Sequence, residues 1–282
     1  MRLVTYRDQD GSVKPGVLQG EEIVDISDQV VHMRSLIEAG PDALDTLRTL
    51  LRGKTRRTPL ARVQLLAPIQ NPPRIFCVGL AYRDHAIETH QEIPKVPTIF
   101  LKLTSALNGP RSTVVLPKLT QQPDYEAEFA FVIGKGGKNI SADTWEEHVF
   151  GYTIMNDVSA RDVQMATSQW SLGKSFDTFA PLGPAIVTKD EVPDPHALDI
   201  RLTIGDEVLQ HSNTRQLIFR IPDLITYLSA ITPLKAGDII STGTPAGVGL
   251  GRTPHRWLRP GETIVTEVEG LGQLVNPIVA EV

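Results

Sequence analysis

A chain of 282 residues is long enough to bury a substantial core, and its 28 basic and 33 acidic side chains, with a net charge of −5 and no basic block, exclude nucleic acid and anionic membranes as expected partners. A single cysteine, Cys77, excludes an internal disulfide, and no apolar run approaches the ~20 residues of a membrane-spanning helix. Met1–Asp8 meets charge before any apolar stretch develops, so the expected compartment is the cytoplasm.

The chain opens with a strand at Leu3–Tyr6, a polar turn at Asp8–Ser12, and strand-like pieces near Gly16–Leu18 and Glu22–Asp25. Met33, Leu36, Ile37, Leu44, Leu47, Leu50 and Leu51 then recur at spacings of three and four, a helical pattern. With the proline-bearing stretches Arg52–Pro59 and Leu66–Pro73, this predicts a small α+β cap and linker over residues 1–68, followed by a second domain over 69–282. That remainder reads as short strands broken by Gly and Pro: Ile75–Gly79, Thr98–Leu103, Val114–Leu116, Glu126–Ile133, Val149–Met155, Ile200–Ile204, Asp238–Ser241, Thr263–Val268 and Gly272–Pro277. Helices are expected only at Asp84–His90, Asp143–Glu147 and Ile221–Ile231. Without regular βα alternation the fold class is α+β and β-rich, a mixed sandwich or roll.

Three acidic residues organise the chemistry. Glu126 and Glu128 stand two apart in a strand pattern, and side chains at i and i+2 share a face, so a hard divalent cation could take an oxygen from each. Asp157, closing the apolar run from Val149, could supply a third. The alternative is an edge strand with its polar face in water. His85 and Glu88 have the i, i+3 spacing of one helical turn, which lets a carboxylate orient an imidazole as a base; an exposed pair of no function has the same spacing. Lys174 lies in Ser171–Pro184, a run of small residues and proline that reads as a loop. Over the carboxylates it would stabilise an oxyanion; elsewhere it would be solvated. Ser241–Gly249 is a glycine-rich turn with the freedom to approach an anion through its N–H groups and the Thr244 hydroxyl.

Taken in order, Phe76–Glu88, Asp124-Tyr125-Glu126-Ala127-Glu128, Asn156–Asp162, Gly173-Lys174-Ser175-Phe176-Asp177 and Thr242–Gly249 closely resemble the fumarylacetoacetate hydrolase family, over about residues 74 to 280. The resemblance implies a mixed β-sandwich or roll, Mg²⁺ or Mn²⁺ held by Glu126, Glu128 and Asp157, a lid carrying His85 and Glu88, Lys174 as a substrate contact, and a homodimer. Tyr82, Arg83, Gln164 and Thr244 are assigned as further substrate contacts. One departure is Ala81, where the family often has Asn.

The function expected is hydrolysis of a carbon–carbon bond in a β-diketone 2-oxo acid, of acylpyruvate or 2,4-dioxo-3-deoxy sugar acid type. His85 would activate water, and Lys174 and Thr244 would stabilise the oxyanion, while the metal acts as a Lewis acid. Decarboxylation of oxaloacetate and isomerisation of 2-hydroxyhepta-2,4-diene-1,7-dioate are the alternatives on the same site. A catalytically silent metal-binding relative is the alternative outside enzymes. The basic loop Arg252–Arg259 is a candidate for a second substrate carboxylate or for a dimer surface.

Overall fold

The computed structural model describes residues 1–53 and 56–282. Its largest element is a mixed sheet whose strands run in the order Arg57–Pro59, Glu22–Asp25, Val13–Gln19, Arg2–Arg7, Ala180–Thr188, Val149–Asn156, Ala127–Ile133, Ile239–Ser241, Ile75–Gly79 and Thr98–Lys102. A second sheet is ordered Glu207–Asn213, Asp199–Ile204, Thr263–Val268, Gly272–Ala280 and Val114–Leu116. The fold is therefore α+β and β-rich, as expected.

Period-2 alternation explains how the layers stack. Ala127, Phe129, Phe131 and Ile133 face the second sheet and share a core with Ile200, Leu202, Ile264 and Leu274. Ala130 and Val132 face the other way, towards Met33, Leu36, Ile37, Leu44 and Leu47 of the helices Met33–Ala39 and Pro41–Leu51. Strand Ala127–Ile133 is buried throughout and paired on both sides, so the edge-strand alternative is wrong for it. The residues expected in the cap join the same sheet through main-chain hydrogen bonds, with Arg2 opposite Val187 and Leu3 opposite Ile186.

Two of the longer strands are absent from the sequence reading, besides short ones such as Arg57–Pro59 in the expected linker. Ala180–Thr188 overlaps the expected loop, because Pro181, Gly183 and Pro184 mask its pattern. The sheet accommodates them by a register shift between Tyr152 and Ile154 on the neighbouring strand, where a residue without an N–H need not donate. Glu207–Asn213 was hidden by its polar composition.

Candidate metal and substrate site

Antiparallel register assembles the acidic group. Ala127 pairs with Asn156 and Glu128 with Met155, so the start of one strand lies beside the end of the next. Asn156 Oδ1 accepts from the Glu126 N–H at 3.1 Å, and the Asp157 N–H donates to the Glu126 carbonyl at 2.9 Å. Glu126, Glu128 and Asp157 are buried and each offers an oxygen within 4.8 Å of the others.

Three cations meet these carboxylates. Lys174 Nζ lies 2.8 Å from Glu126 Oε2 and 2.8 Å from Asp157 Oδ2. Lys102 Nζ donates to Asp157 Oδ1 at 2.5 Å and to the Val158 carbonyl at 3.2 Å. Arg161 bridges Glu126 Oε1 at 2.7 Å and Asp124 Oδ2 at 2.8 Å, and donates to Gln164 Oε1 at 2.9 Å. Burial pushes the Glu126 carboxyl up, but Lys174 and Arg161 outweigh it and hold the pKa down at about 2. Glu128 differs. It accepts from the Ser241 hydroxyl and, at 3.2 Å, from the Gly243 N–H, and no ion pair reaches it among the described residues. Burial, then Asp157 and Glu126, push its carboxyl well above the usual range.

Four carboxylates, counting Asp124, thus face three cations, and Glu128 is the one without a partner charge. A buried all-oxygen donor set with this deficit suits a hard divalent cation. Glu126, Glu128 and Asp157 would hold it.

Above this group stands the helix Arg83–Glu88. His85 Nδ1 and Glu88 Oε2 are 3.2 Å apart, and Glu88 Oε1 accepts from the Gly247 N–H at 2.9 Å. The glycine-rich turn approaches closely: Gly243 has φ +87°, and a Cβ there would meet Ala81 Cβ at 2.4 Å. Asp124 fixes the far end of this turn by accepting from the N–H groups of Gly249 at 2.7 Å and Leu250 at 3.0 Å. Thr244 Oγ1 donates to the Ala127 carbonyl at 2.9 Å and accepts from Gln210 Nε2 at 2.8 Å.

A cavity of about 160 Å³ gathers His85, Glu126, Arg161, Gln164, Lys174 and Thr244 in its walls. Tyr82 and Arg83 do not line it. Tyr82 is wholly buried in the core and Arg83 is exposed at the first turn of its helix. Two arginines of the basic loop are committed elsewhere: Arg252 donates to the carbonyls of Leu209 and Gly247, and Arg256 pairs with Glu262 and Glu207. Sequence reading missed Lys102, Arg161, Asp124 and Gln210 as site residues. Asp124 and Arg161 lie within recognised motifs, but Lys102 and Gln210 arrive from distant strands and carry no local signal.

Residues 74–279 match the family model for Fumarylacetoacetate (FAA) hydrolase C-terminal. The chain is 43% identical over 288 residues to oxaloacetate tautomerase fahd2, mitochondrial, of Xenopus laevis, an alignment covering 99% of this chain and 90% of that protein. The structure of 2-hydroxyhepta-2,4-diene-1,7-dioate isomerase from Mycobacterium marinum superposes with a TM-score of 0.81 at 35% identity, covering 100% of this chain and 99% of that one. Maleylpyruvate hydrolase from Sphingobium sp. SYK-6, in complex with manganese (II) ion and pyruvate, superposes with a TM-score of 0.85 at 32% identity, covering 100% of both chains. With sequence motifs, family match and fold agreeing over most of its length, the chain belongs to the fumarylacetoacetate hydrolase family.

Proposed function

We propose that this protein is a metal-dependent tautomerase or isomerase of a small 2-oxo dicarboxylic acid of the oxaloacetate type. The end-to-end likeness to the Xenopus laevis tautomerase carries this reading and favours isomerisation over the C–C hydrolysis expected from sequence. The lean towards hydrolysis rested on His85 and Glu88 as activators of water. The same pair can move a proton between carbon and oxygen, so it does not separate the two reactions.

The residues divide the work as follows. Arg161 and Lys174 line the cavity and would face an anionic acid once a divalent ion outweighs the one uncompensated carboxylate, and Gln164 and Thr244 offer polar contacts along its wall. A divalent ion on Glu126, Glu128 and Asp157 would polarise the 2-oxo group. His85, oriented by Glu88, removes a proton from the carbon next to that group and returns one to the oxygen, so the keto form becomes the enol with no atom gained or lost. Burial of Lys174 excludes water from its contact with the developing negative charge.

C–C hydrolysis remains the second reading, supported by the likeness to maleylpyruvate hydrolase, and decarboxylation the third. The test follows the decay of enol oxaloacetate by ultraviolet absorbance with Mg²⁺, with Mn²⁺ and with EDTA, while pyruvate and CO₂ are assayed in parallel. Metal-dependent enol decay without pyruvate supports tautomerisation. Pyruvate with CO₂ makes the protein a decarboxylase, and pyruvate with a second acid from an acylpyruvate makes it a hydrolase. We take Mg²⁺ or Mn²⁺ as the metal, since the donor set is all oxygen.

A homodimer is also part of the proposal. Its support is the outermost strand of the large sheet, Thr98–Lys102, which exposes Leu101 and is flanked by exposed Ile93, Val96 and Leu103. Light scattering on Leu101→Lys, expected to shift the mass from dimer to monomer, tests it. No helix among the described residues is long and apolar enough to cross a membrane. A cytoplasmic location is proposed from the lone buried cysteine, although the name of the Xenopus laevis relative says mitochondrial of that protein.

A further inference from the structure

We infer that Trp170 is a specificity-determining wall that limits the acid this site accepts to a short chain. The inference rests on reading the cavity as a 2-oxo acid site. Three observations carry it. The cavity holds about 160 Å³, below the ~300–1,000 Å³ of ordinary small-molecule sites, so chain length is under steric control. Trp170 lines it and is the largest side chain to do so. The indole is held rigidly: at Gly79 a Cβ would stand 2.4 Å from the ring, so the ring lies against bare backbone, and on another side Phe100 meets it edge-on at 5.7 Å and 66°.

The direction of the wall follows from its neighbours. Lys174 Nζ lies 5.1 Å from the centroid of Phe100, so the ring that meets Trp170 also borders the carboxylate cluster. An acid whose 2-oxo end sits at Lys174 and Glu126 would extend past Phe100 towards the indole. Met165 and Leu250, also in the wall, are exposed and can yield, whereas the half-buried indole packs on Gly79 and Phe100. Adding a methylene in a fixed apolar pocket changes affinity by roughly 10–200-fold, which is the scale expected at this wall.

Calorimetry on the Mg²⁺-loaded protein with pyruvate, 2-oxobutanoate, 2-oxopentanoate and 2-oxohexanoate tests the wall without needing turnover. In the unmodified protein affinity should fall about tenfold or more between the four- and six-carbon acids. Trp170→Ala should flatten that dependence to within about threefold, and Trp170→Phe, which keeps an aromatic edge on Phe100, should lie between. Melting curves identify a variant that fails to fold, in which case Trp170→Phe alone decides. An unchanged length dependence in the folded variants overturns the wall, as does its absence from the unmodified protein. If none of the acids binds the unmodified protein, the 2-oxo acid reading and the wall fall together. If length dependence responds to Trp170 but enol oxaloacetate is untouched, only the tautomerase reading falls.

Discussion

Glu88 and Gly247 are joined by a 2.9 Å hydrogen bond in which one carboxylate oxygen accepts from a backbone N–H, while the other oxygen faces His85 Nδ1 at 3.2 Å. A single side chain therefore both orients His85 and latches its helix to the glycine-rich turn. Gly251 lies against the same carboxylate, where a Cβ would come within 2.9 Å of it. The two duties can be separated by substitution.

Glu88→Gln keeps an acceptor for Gly247 and loses the charge beside His85, whereas Glu88→Ala loses both. His85→Ala should lower kcat by about 10²–10⁴-fold, the usual contribution of a general base. Glu88→Gln should cost less than that and leave hydrogen exchange of residues 83–90 unchanged. Glu88→Ala should lower kcat and also speed exchange in that segment. Equal exchange in the two variants would remove the latch.

Glu128 is a buried carboxylate facing two others, with no ion-pair partner among the described residues. Glu128→Gln should therefore raise the melting temperature of the metal-free protein, by roughly 1 kcal/mol or more of stability. Added Mg²⁺ or Mn²⁺ should stabilise the unmodified protein in proportion to the logarithm of metal concentration and leave the variant unmoved. Ser241→Ala, which removes the hydroxyl donating to Glu128, should weaken metal binding by about 10–100-fold in a titration. Undiminished metal affinity in Glu128→Gln would remove Glu128 from the donor set.

Acid stability should depend on His196. Its Nε2 accepts from the Ile221 N–H at 3.3 Å, at the start of helix Ile221–Ile231, and its ring packs on Trp145 at 5.7 Å. Burial, then Arg220, lower its pKa from the ordinary 6.5, outweighing Asp194. A depressed folded pKa contributes stability that is complete above the unfolded value near 6.5 and is lost as pH falls through the folded value. Chemical denaturation at pH 7.5 and pH 5 should show this loss in the unmodified protein, and a smaller one in His196→Gln. An equal loss in both would place the acid sensitivity elsewhere.

Arg74 pairs with Asp238 through Nε at 3.0 Å and through Nη2, and also donates to Thr232 and the Pro233 carbonyl. Asp238 is fully buried while Arg74 is 23% exposed. Arg74→Met leaves that carboxylate without its cation and should destabilise the fold by about 3 kcal/mol, the low end for a broken buried pair. Asp238→Asn, which still accepts hydrogen bonds, should cost less by the same denaturation measurement.

Much of this architecture is legible from local pattern. Ile75–Gly79, Val114–Leu116, Thr263–Val268 and helix Ile221–Ile231 lie at their expected bounds, because each is an apolar pattern between clear breakers. The acidic group is legible for a similar reason, since i, i+2 spacing on a strand is a local rule and Asp157 closes the neighbouring run. What stays hidden depends on partners far along the chain. Ala180–Thr188 is a central strand only because Arg2–Arg7 and Val149–Asn156 flank it, despite two prolines. Lys102 reads as an ordinary strand residue until pairing carries it to Asp157. Tyr82, expected to touch substrate, belongs to the core because its strand-like backbone bridges Leu217.

The long-range pairing of the large sheet also sets a timetable for the newborn chain. Arg2 can pair with Leu18 early but must wait for Val187 on its other side, as Ile75, beside Lys102, must wait for Ile239. At about 5–20 residues per second, the first of these delays lasts roughly 10–40 s on the ribosome. Ser241, which holds Glu128, is translated later than every acidic ligand it serves. A half-made chain thus carries the three carboxylates but not the pocket that aligns them, so an ion held there would be captured only after synthesis is nearly complete.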